Sequence, residues 1–478
     1  MTPQVATRKS LEPWILDSVQ YYAHQIEGIR NLAKMKSFIL ADDMGLGKSL
    51  QALTVFGIDV VRGWGETAIV VCPVSLKANW QDEIEKFTRF PCVLLEGSPA
   101  VRLKQLAEFA ALDGPKILIV NYEQVVAHLK VLNEFNFHVA IFDECHYLKN
   151  PKSNRTKASL SLKSYRSFLL SGTPMLNHVN ELWSPLHKVD PGAYPKYWTF
   201  VSRYVVFGGY KDKQVVGAKN TVELTERLKS VMLRRLKKDV LDLPEVQIIQ
   251  RRVNLTSEQR KLYDEVKDEM RLATLDGPED IDNALTKFLR LKQICGTTLP
   301  FTGVDVSSKL DLAVEDDLEI VSNGHRVVVF TQFRSVLQAH ADRLEKQGVP
   351  VWRLHGDVKM NERQPMVKEW GMSESPGVIV CMLQVAGVGL NMVQARHGSF
   401  LDKLFVPGLN RQAIDRLHRI GQNVTQPVQI REYIAKNTIE NRVEEILRTK
   451  RKLSDDIVDT DPNFTAKLLK HLMEDEDG

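Results

Sequence analysis

Short runs of Val, Ile and Leu recur along the first part of the chain: SFILA (37–41), AIVVC (68–72), CVLLE (92–96), KILIV (116–120), VAIFD (139–143) and SFLLS (167–171). Helix-like mixtures of polar and apolar residues separate them. A strand covered on both faces of a parallel sheet loses the in-out alternation of a half-exposed strand, so unbroken apolar runs at crossover spacing predict a parallel α/β sheet. The pattern returns in RVVVFT (326–331), VPVWRL (349–354), GVIVCML (377–383), KLFV (403–406) and VQIREYI (428–434), which predicts a second sheet. Residues 187–306 lack such runs and read as helical. In LTSEQRKLYDEVKDEMRLATL, Thr256 or Ser257 can cap a helix whose apolar positions recur at helical spacing. This middle stretch reads as an insertion or linker.

A chain of 478 residues suits two or three domains, and 43% hydrophobic with 26% charged residues describes a soluble globular protein. The formal net charge of +4 is small for that length, so any nucleic-acid surface is expected to be a local groove. The five cysteines, at 72, 92, 145, 295 and 381, form no C-x-x-C pair. That pattern argues against a zinc ribbon or a disulfide framework and predicts free thiols in a reducing compartment. The opening MTPQVATRKSLEPW has no apolar signal core, and no apolar run approaches the ~20 residues of a membrane helix. An intracellular, cytoplasmic protein is expected, with no membrane partner. The acidic end MEDEDG reads as a solvated tail.

SFILA runs directly into DDMGLGKS (42–49), and SLQALTVFGIDVV continues with helical periodicity. The pattern G-x-x-x-x-G-K-[ST] would put a glycine at 42, where the chain has Asp42. The physical requirement is narrower than the pattern: backbone N–H groups converging on a phosphate, a lysine reaching its outer oxygens, and a hydroxyl for Mg²⁺. Gly45, Gly47, Lys48 and Ser49 supply those parts, and the strand-loop-helix setting is the one phosphate binding needs. Downstream, VAIFDECHYLKNP ends a predicted strand on Asp143 and Glu144. Adjacent carboxylates there can divide between holding Mg²⁺ and orienting an attacking water, or Asp143 can simply cap a helix. The order of the two motifs favours the chemical reading.

The stretches DDMGLGKSLQAL, CPVSLKANW, DECHYLKN, SGTPMLNHVNELWSPL, MLRRLKKDVLDLP, GVGLNM and QAIDRLHRIGQ, read in that order, resemble the motif series of the Swi/Snf-type ATPases, a branch of helicase superfamily 2. The similarity runs from about Tyr22 to Lys452. The family's phosphate loop usually reads DEMGLGKT, so Asp42 fits it. The resemblance implies an α/β protein of two RecA-like parallel-sheet lobes with a helical insertion and linker between them. Its expected divisions are 1–186 for the N-terminal ATP-binding lobe, 187–306 for the helical insertion and interlobe linker, and 307–478 for the C-terminal helicase lobe.

ATP and Mg²⁺ are the implied cofactors. Gln25, Met44, Gly45, Leu46, Gly47, Lys48, Ser49 and Gly389 are expected at the nucleotide, and Ser49 and Asp143 at the metal. Gln25 is either a reader of the adenine edge or a polar residue on a helix face. Ser75, Lys77 and Asn79 are donors suited to phosphate oxygens of nucleic acid, while Trp80 beside them reads as core. Tyr122 in NYEQV either faces nucleic acid or packs inside. Ser171 and Thr173 of SGTP are expected to link nucleotide state to lobe movement, and the same stretch can cap a helix. Gly387 and Gly389 permit close approach of ribose or DNA phosphate, or form a turn. Gln384 and Val385 stand where the family more often has Ser or Thr, and FVPGLNRQ stands where it has W-N-P.

In QAIDRLHRIGQ, Gln412, Arg416 and Arg419 are spaced to share one helix face. The resemblance makes Arg416 and Arg419 candidates to meet the γ-phosphate on lobe closure; such an arginine is worth roughly 10³ to 10⁵ in rate. RRLKKD (234–239) resembles the connector between lobes, and RTKRK near the end reads as a charged helix face. The expectation is an ATP-dependent motor on double-stranded DNA, in a compact prokaryotic or viral form, DNA-associated in a bacterial or virus-infected cell. A DNA-bound protein or replication and recombination machinery are its expected partners. Strand annealing or branch migration, and a nucleotide-gated binding module with little hydrolysis, are the alternatives.

Overall fold

The structure of the protein, a computed structural model, describes residues 14–172, 179–208, 214–275, 281–386, 390–405, 407–419, 426–445 and 447. The apolar runs of the first part become β1 (Ser37–Leu40), β2 (Thr67–Cys72), β3 (Cys92–Leu94), β4 (Lys116–Asn121), β5 (Phe137–Asp143) and β6 (Ser164–Leu170). Their residues are buried because helices cover the sheet: Ile69, Val70, Val71 and Cys72 of β2 have no solvent exposure. Each such side chain taken from water contributes roughly 1.5–3 kcal/mol before chain entropy is counted. An antiparallel hairpin follows, β7 (Val205–Gly208) with β8 (Gln214–Ala218), and then the short β9 (Met232–Leu233). The first sheet runs β3-β4-β2-β5-β6-β1-β9, with every pair parallel.

The second sheet comprises β10 (Val246–Val253), β11 (Val327–Thr331), β12 (Val351–Leu354), β13 (Val378–Met382), β14 (His397–Phe400) and β15 (Val428–Ala435). Its order is β10-β15-β14-β11-β13-β12, again all parallel. Two compact units result, Met1–Leu241 and Asp242–Gly478.

Two sequence expectations change. Residues 187–306 hold four strands: β9 adds to one sheet edge and β10 to the edge of the other, so this stretch contributes to both units. Edge strands need not be apolar throughout, and VQIIQRRV carries Gln247, Gln250 and Arg252 at exposed positions. Lys403, Leu404 and Phe405 of KLFV are not in a strand; the strand is HGSF just before them, lying between β11 and β15. The helix at Ser257–Leu275 is present, and Thr256 caps it: its Oγ1 accepts from Gln259 N at 3.1 Å. Among the described residues, no helix is long and apolar enough to cross a membrane.

Candidate active site

β1 ends at Leu40, and the helix Lys48–Val61 begins eight residues later with Gly47 as its cap. Gly45 and Gly47 have φ of 83° and 74°, in the left-handed region that costs an L-residue strain. At Gly47 the space is closed as well, since a Cβ there would sit 2.3 Å from Gln25 Nε2. Gln25 lies beneath the loop: Tyr22 N donates to its Oε1 at 3.0 Å, and its Nε2 donates to Leu46 O at 3.3 Å. An amide has two donors and two acceptor positions, so one of each remains for an adenine edge. The Leu46 side chain is buried in the core, leaving its backbone to the loop, and Met44 is half-buried.

Lys48 Nζ donates to the carbonyls of Asp42 and Asp43 at 2.8 and 3.2 Å, with a third N–H in reserve. Among the described residues the Ser49 hydroxyl has no hydrogen-bond partner, and the amides of Gly45, Gly47, Lys48 and Ser49 donate to no protein acceptor. These donors at a helix start suit an anion, and the hydroxyl suits a hard cation beside it.

Sheet order brings the carboxylates to this loop. β6 lies between β1 and β5, and Leu170 pairs with Leu40 on one side and Asp143 on the other. Ser171 therefore emerges between the phosphate loop and the carboxylates. Its Oγ donates to Glu144 Oε2 at 3.0 Å, and His146 Nδ1 lies 3.1 Å from the same oxygen. Glu144 has φ of 49°, a strained value for a non-glycine residue. Asp143 is held from two sides, with Trp80 Nε1 donating to Oδ2 at 2.8 Å and Glu144 N to Oδ1 at 2.9 Å.

Burial and the Glu144 charge push the Asp143 carboxyl up to about 7. Burial pulls Glu144 upward too, but the bond and charge of His146, with Lys48 and Ser171, outweigh it and hold Glu144 low. A proton taken up by the pair goes first to Asp143. The Asp143 carboxylate and the Ser49 hydroxyl are hard oxygen donors of the kind that fits Mg²⁺.

Of the two readings of Tyr122 the structure has the packed one, and Lys77, expected at nucleic acid, is buried as well. Tyr122 is fully buried, and its hydroxyl donates to Asp143 O at 2.7 Å. Lys77 is 4% exposed; its ammonium bonds the Leu95 carbonyl and lies 3.7 Å from Glu96 Oε1, and burial lowers its pKa. Ser75 and Asn79 are half-buried on the same segment. Trp80 is core, 1% exposed, yet it also grips the Asp143 carboxylate.

In the second unit Gln412 lies in the helix Pro407–Ile414, which stops before the arginines. Arg416 N bonds Ala413 O, and Leu417 N bonds Ile414 O, a tightening to three-residue spacing that ends the helix. Arg416 is buried in this turn and Arg419 half-buried beyond it, so the three side chains do not share one helix face as expected. Where the W-N-P sequence is absent, Phe405 packs on Phe288 with centroids 4.9 Å apart. Asn410 holds both the N–H and the C=O of Leu404, at 2.9 and 2.7 Å. Thr173, Gly387 and Gly389 lie outside the described residues.

Residues 24–298 match the SNF2-related domain, and residues 310–421 the Helicase conserved C-terminal domain. The chain belongs to the SNF2-related family. An uncharacterized ATP-dependent helicase of Mycoplasma pneumoniae is 30% identical, over 96% of this chain and 44% of its own length. A putative ATP-dependent helicase/translocase of Bacillus subtilis is 30% identical, over 91% of this chain and 48% of its own. The chain thus spans less than half the length of either relative. A solved structure, the Sulfolobus solfataricus SWI2/SNF2 ATPase core in complex with dsDNA, is 27% identical over 92% of this chain and 93% of that one, with a TM-score of 0.43.

In this member of the SNF2-related family, the first unit gathers the loop N–H groups, the Ser49 hydroxyl and the Asp143–Glu144 carboxylates at the carboxyl ends of β1 and β5, with Ser171 following β6. Several residues that hold this set escaped sequence reasoning. His146 was visible in DECH, but nothing in the motif distinguished a ligand of Glu144 from a surface histidine. Trp80 and Tyr122 carried conflicting signals because each is both core and donor.

Proposed function

We propose that the chain is a DNA-stimulated ATPase that moves along double-stranded DNA, with DNA or a bound protein as the load. The observation that carries this reading is the Ser171–Glu144 bond, which ties the carboxylate suited to orienting water to the segment leading out of β6. A hydroxyl so placed links the end of β6 to that carboxylate, the kind of connection that coupling hydrolysis to movement requires. Lys48 would bind the β- and γ-phosphates, and Gln25 the adenine. Ser49 and Asp143 would hold Mg²⁺, which supplies neutralisation of charge on the phosphate oxygens. Arg416 and Arg419 of the second unit would complete the site when the units close on ATP.

The family and the Bacillus relative's description as a helicase/translocase support the motor reading. The test is steady-state ATP hydrolysis with single-stranded, duplex and forked DNA and with RNA. Duplex should stimulate most, and its binding should weaken with salt at a slope of about −0.9 per phosphate neutralised. Greater stimulation by RNA, or binding indifferent to salt, refutes it.

A further inference from the structure

Asp42, in the place of the pattern's glycine, is fully buried. A buried carboxylate is costly unless it is paired. Its partner comes from 193 residues downstream: Arg235 Nε donates to Oδ1 at 3.0 Å and Nη2 to Oδ2 at 2.5 Å, a two-pronged pair. The same guanidinium reaches Gln51 Oε1 at 3.2 Å, Glu27 Oε2 at 3.1 Å and the His24 carbonyl. Five contacts match the five N–H groups of an arginine.

The surroundings are shaped to admit this side chain. A Cβ at Gly28 would fall 1.8 Å from Gln51 Oε1 and 2.8 Å from Arg235 Nη2, so the helix Ala23–Lys34 has a glycine where the clamp passes. The backbone repeats the connection, with Asp43 N on Arg235 O at 3.0 Å and Lys237 N on Asp43 Oδ2 at 3.1 Å. Gln51 extends it to the loop by donating to Leu46 O and Gly47 O at 3.2 and 3.3 Å. Asp42, whose side chain Arg235 grips, is also the residue whose carbonyl holds Lys48 at 2.8 Å.

We propose that Arg235 is a positioning residue for the phosphate loop: through Asp42 it fixes the two carbonyls that hold the Lys48 ammonium. The last stretch of the first unit, six residues before the chain passes into the second at Leu241/Asp242, is thereby part of the nucleotide site. A loop with glycine at 42 would need no such clamp. The inference rests on the ATP-site reading above.

The full chain is tested with a fluorescent methylanthraniloyl-ATP for affinity and by thermal melting for stability, with K48A as the binding-deficient control. Arg235→Gln should weaken binding about tenfold or more, the scale of a charge-assisted pair. Arg235→Lys, which keeps the charge but loses the fork, should fall between it and the parent. The double variant D42N/R235Q removes both buried charges and should lose less than the product of the two single losses. A folded Arg235→Gln chain with parental affinity overturns the proposal, as does a lowered melting point with affinity unchanged. Where Arg235→Gln does not fold, Asp42→Asn, nearly isosteric, takes the same measurement; if neither folds, the clamp is structural and the proposal fails. If the parent does not bind the probe, or K48A binds it equally well, the ATP-site reading is at fault rather than Arg235.

Discussion

Trp80→Phe removes one hydrogen bond to the Asp143 carboxylate while keeping an aromatic ring in the core. The bond is 2.8 Å long, and the residue that donates it is 1% exposed. Hydrogen bonds to charged groups contribute about 1.5–3 kcal/mol, a factor of about 10 to 150 in an equilibrium constant. A residue that orients a metal ligand typically changes metal affinity by roughly 10- to 100-fold, in agreement with that figure. The Mg²⁺ concentration for half-maximal single-turnover ATP hydrolysis should therefore rise by at least about tenfold, measured with saturating duplex DNA. The smaller ring also leaves a cavity, costing roughly 1–3 kcal/mol of stability, so melting must be followed in parallel. Tyr122→Phe is the control: it removes the 2.7 Å bond to the Asp143 carbonyl, not to the carboxylate, and should lower stability by about 1 kcal/mol without moving the Mg²⁺ curve. If the Trp80→Phe curve superimposes on the parent's while its melting point falls, Trp80 is core only.

Glu144→Gln should keep nucleotide binding while removing hydrolysis, since a neutral amide cannot take a proton from water; parental turnover would refute the assignment. Arg419→Ala should leave ATP and DNA affinity near parental and slow single-turnover hydrolysis by roughly 10³-fold or more, whereas a solvated arginine predicts about twofold. His397 is held down to about 4 from 6.5 by burial and then by the charges of Arg431, His325 and Arg396. Its folded pKa lies below the unfolded one, so stability present above about 6.5 is lost as pH falls toward 4 and the unfolded chain takes the proton. Denaturant melts should show that slope reduced in His397→Asn, and an equal slope in both chains would refute it.

The first sheet was legible because six of its seven strands contain an unbroken apolar run, even where, as in β6, Arg166 and Ser167 precede it. β14 was not: His397, Gly398 and Ser399 give no apolar signal, and neighbours on both sides rather than side-chain hydrophobicity make this segment a strand. KLFV supplied the missing signal in the wrong place, since the Leu404 backbone bonds Asn410 instead of a ladder. β9 escaped because it is only Met232–Leu233, too short for a pattern, and β10 because an edge strand tolerates the Gln and Arg of VQIIQRRV. Helical spacing at 412, 416 and 419 was real, yet the helix ends at Ile414, and spacing carries no information about where hydrogen bonding stops.

The proposed chemistry rests on a different kind of sequence signal than the fold. Lys48, Asp143 and Glu144 belong to types required by the reaction, at strand ends where a parallel sheet exposes them. The groups that hold them need only a donor or an acceptor of the right reach, so Trp80 works 63 residues from Asp143 and Arg235 works 193 from Asp42. A motif records the first class and is silent on the second. Sheet order then decides which distant segment can serve. Because β6 is inserted between β1 and β5, the residue after Leu170 must emerge between phosphate loop and carboxylates, and Ser171 meets Glu144 there. Because β9 pairs with the other side of β1, the residue two places beyond Leu233 must emerge beside the loop, and Arg235 meets Asp42. The two strands flanking β1 thus each deliver one polar side chain to the proposed nucleotide site, one to Glu144 and one to Asp42 beneath Lys48.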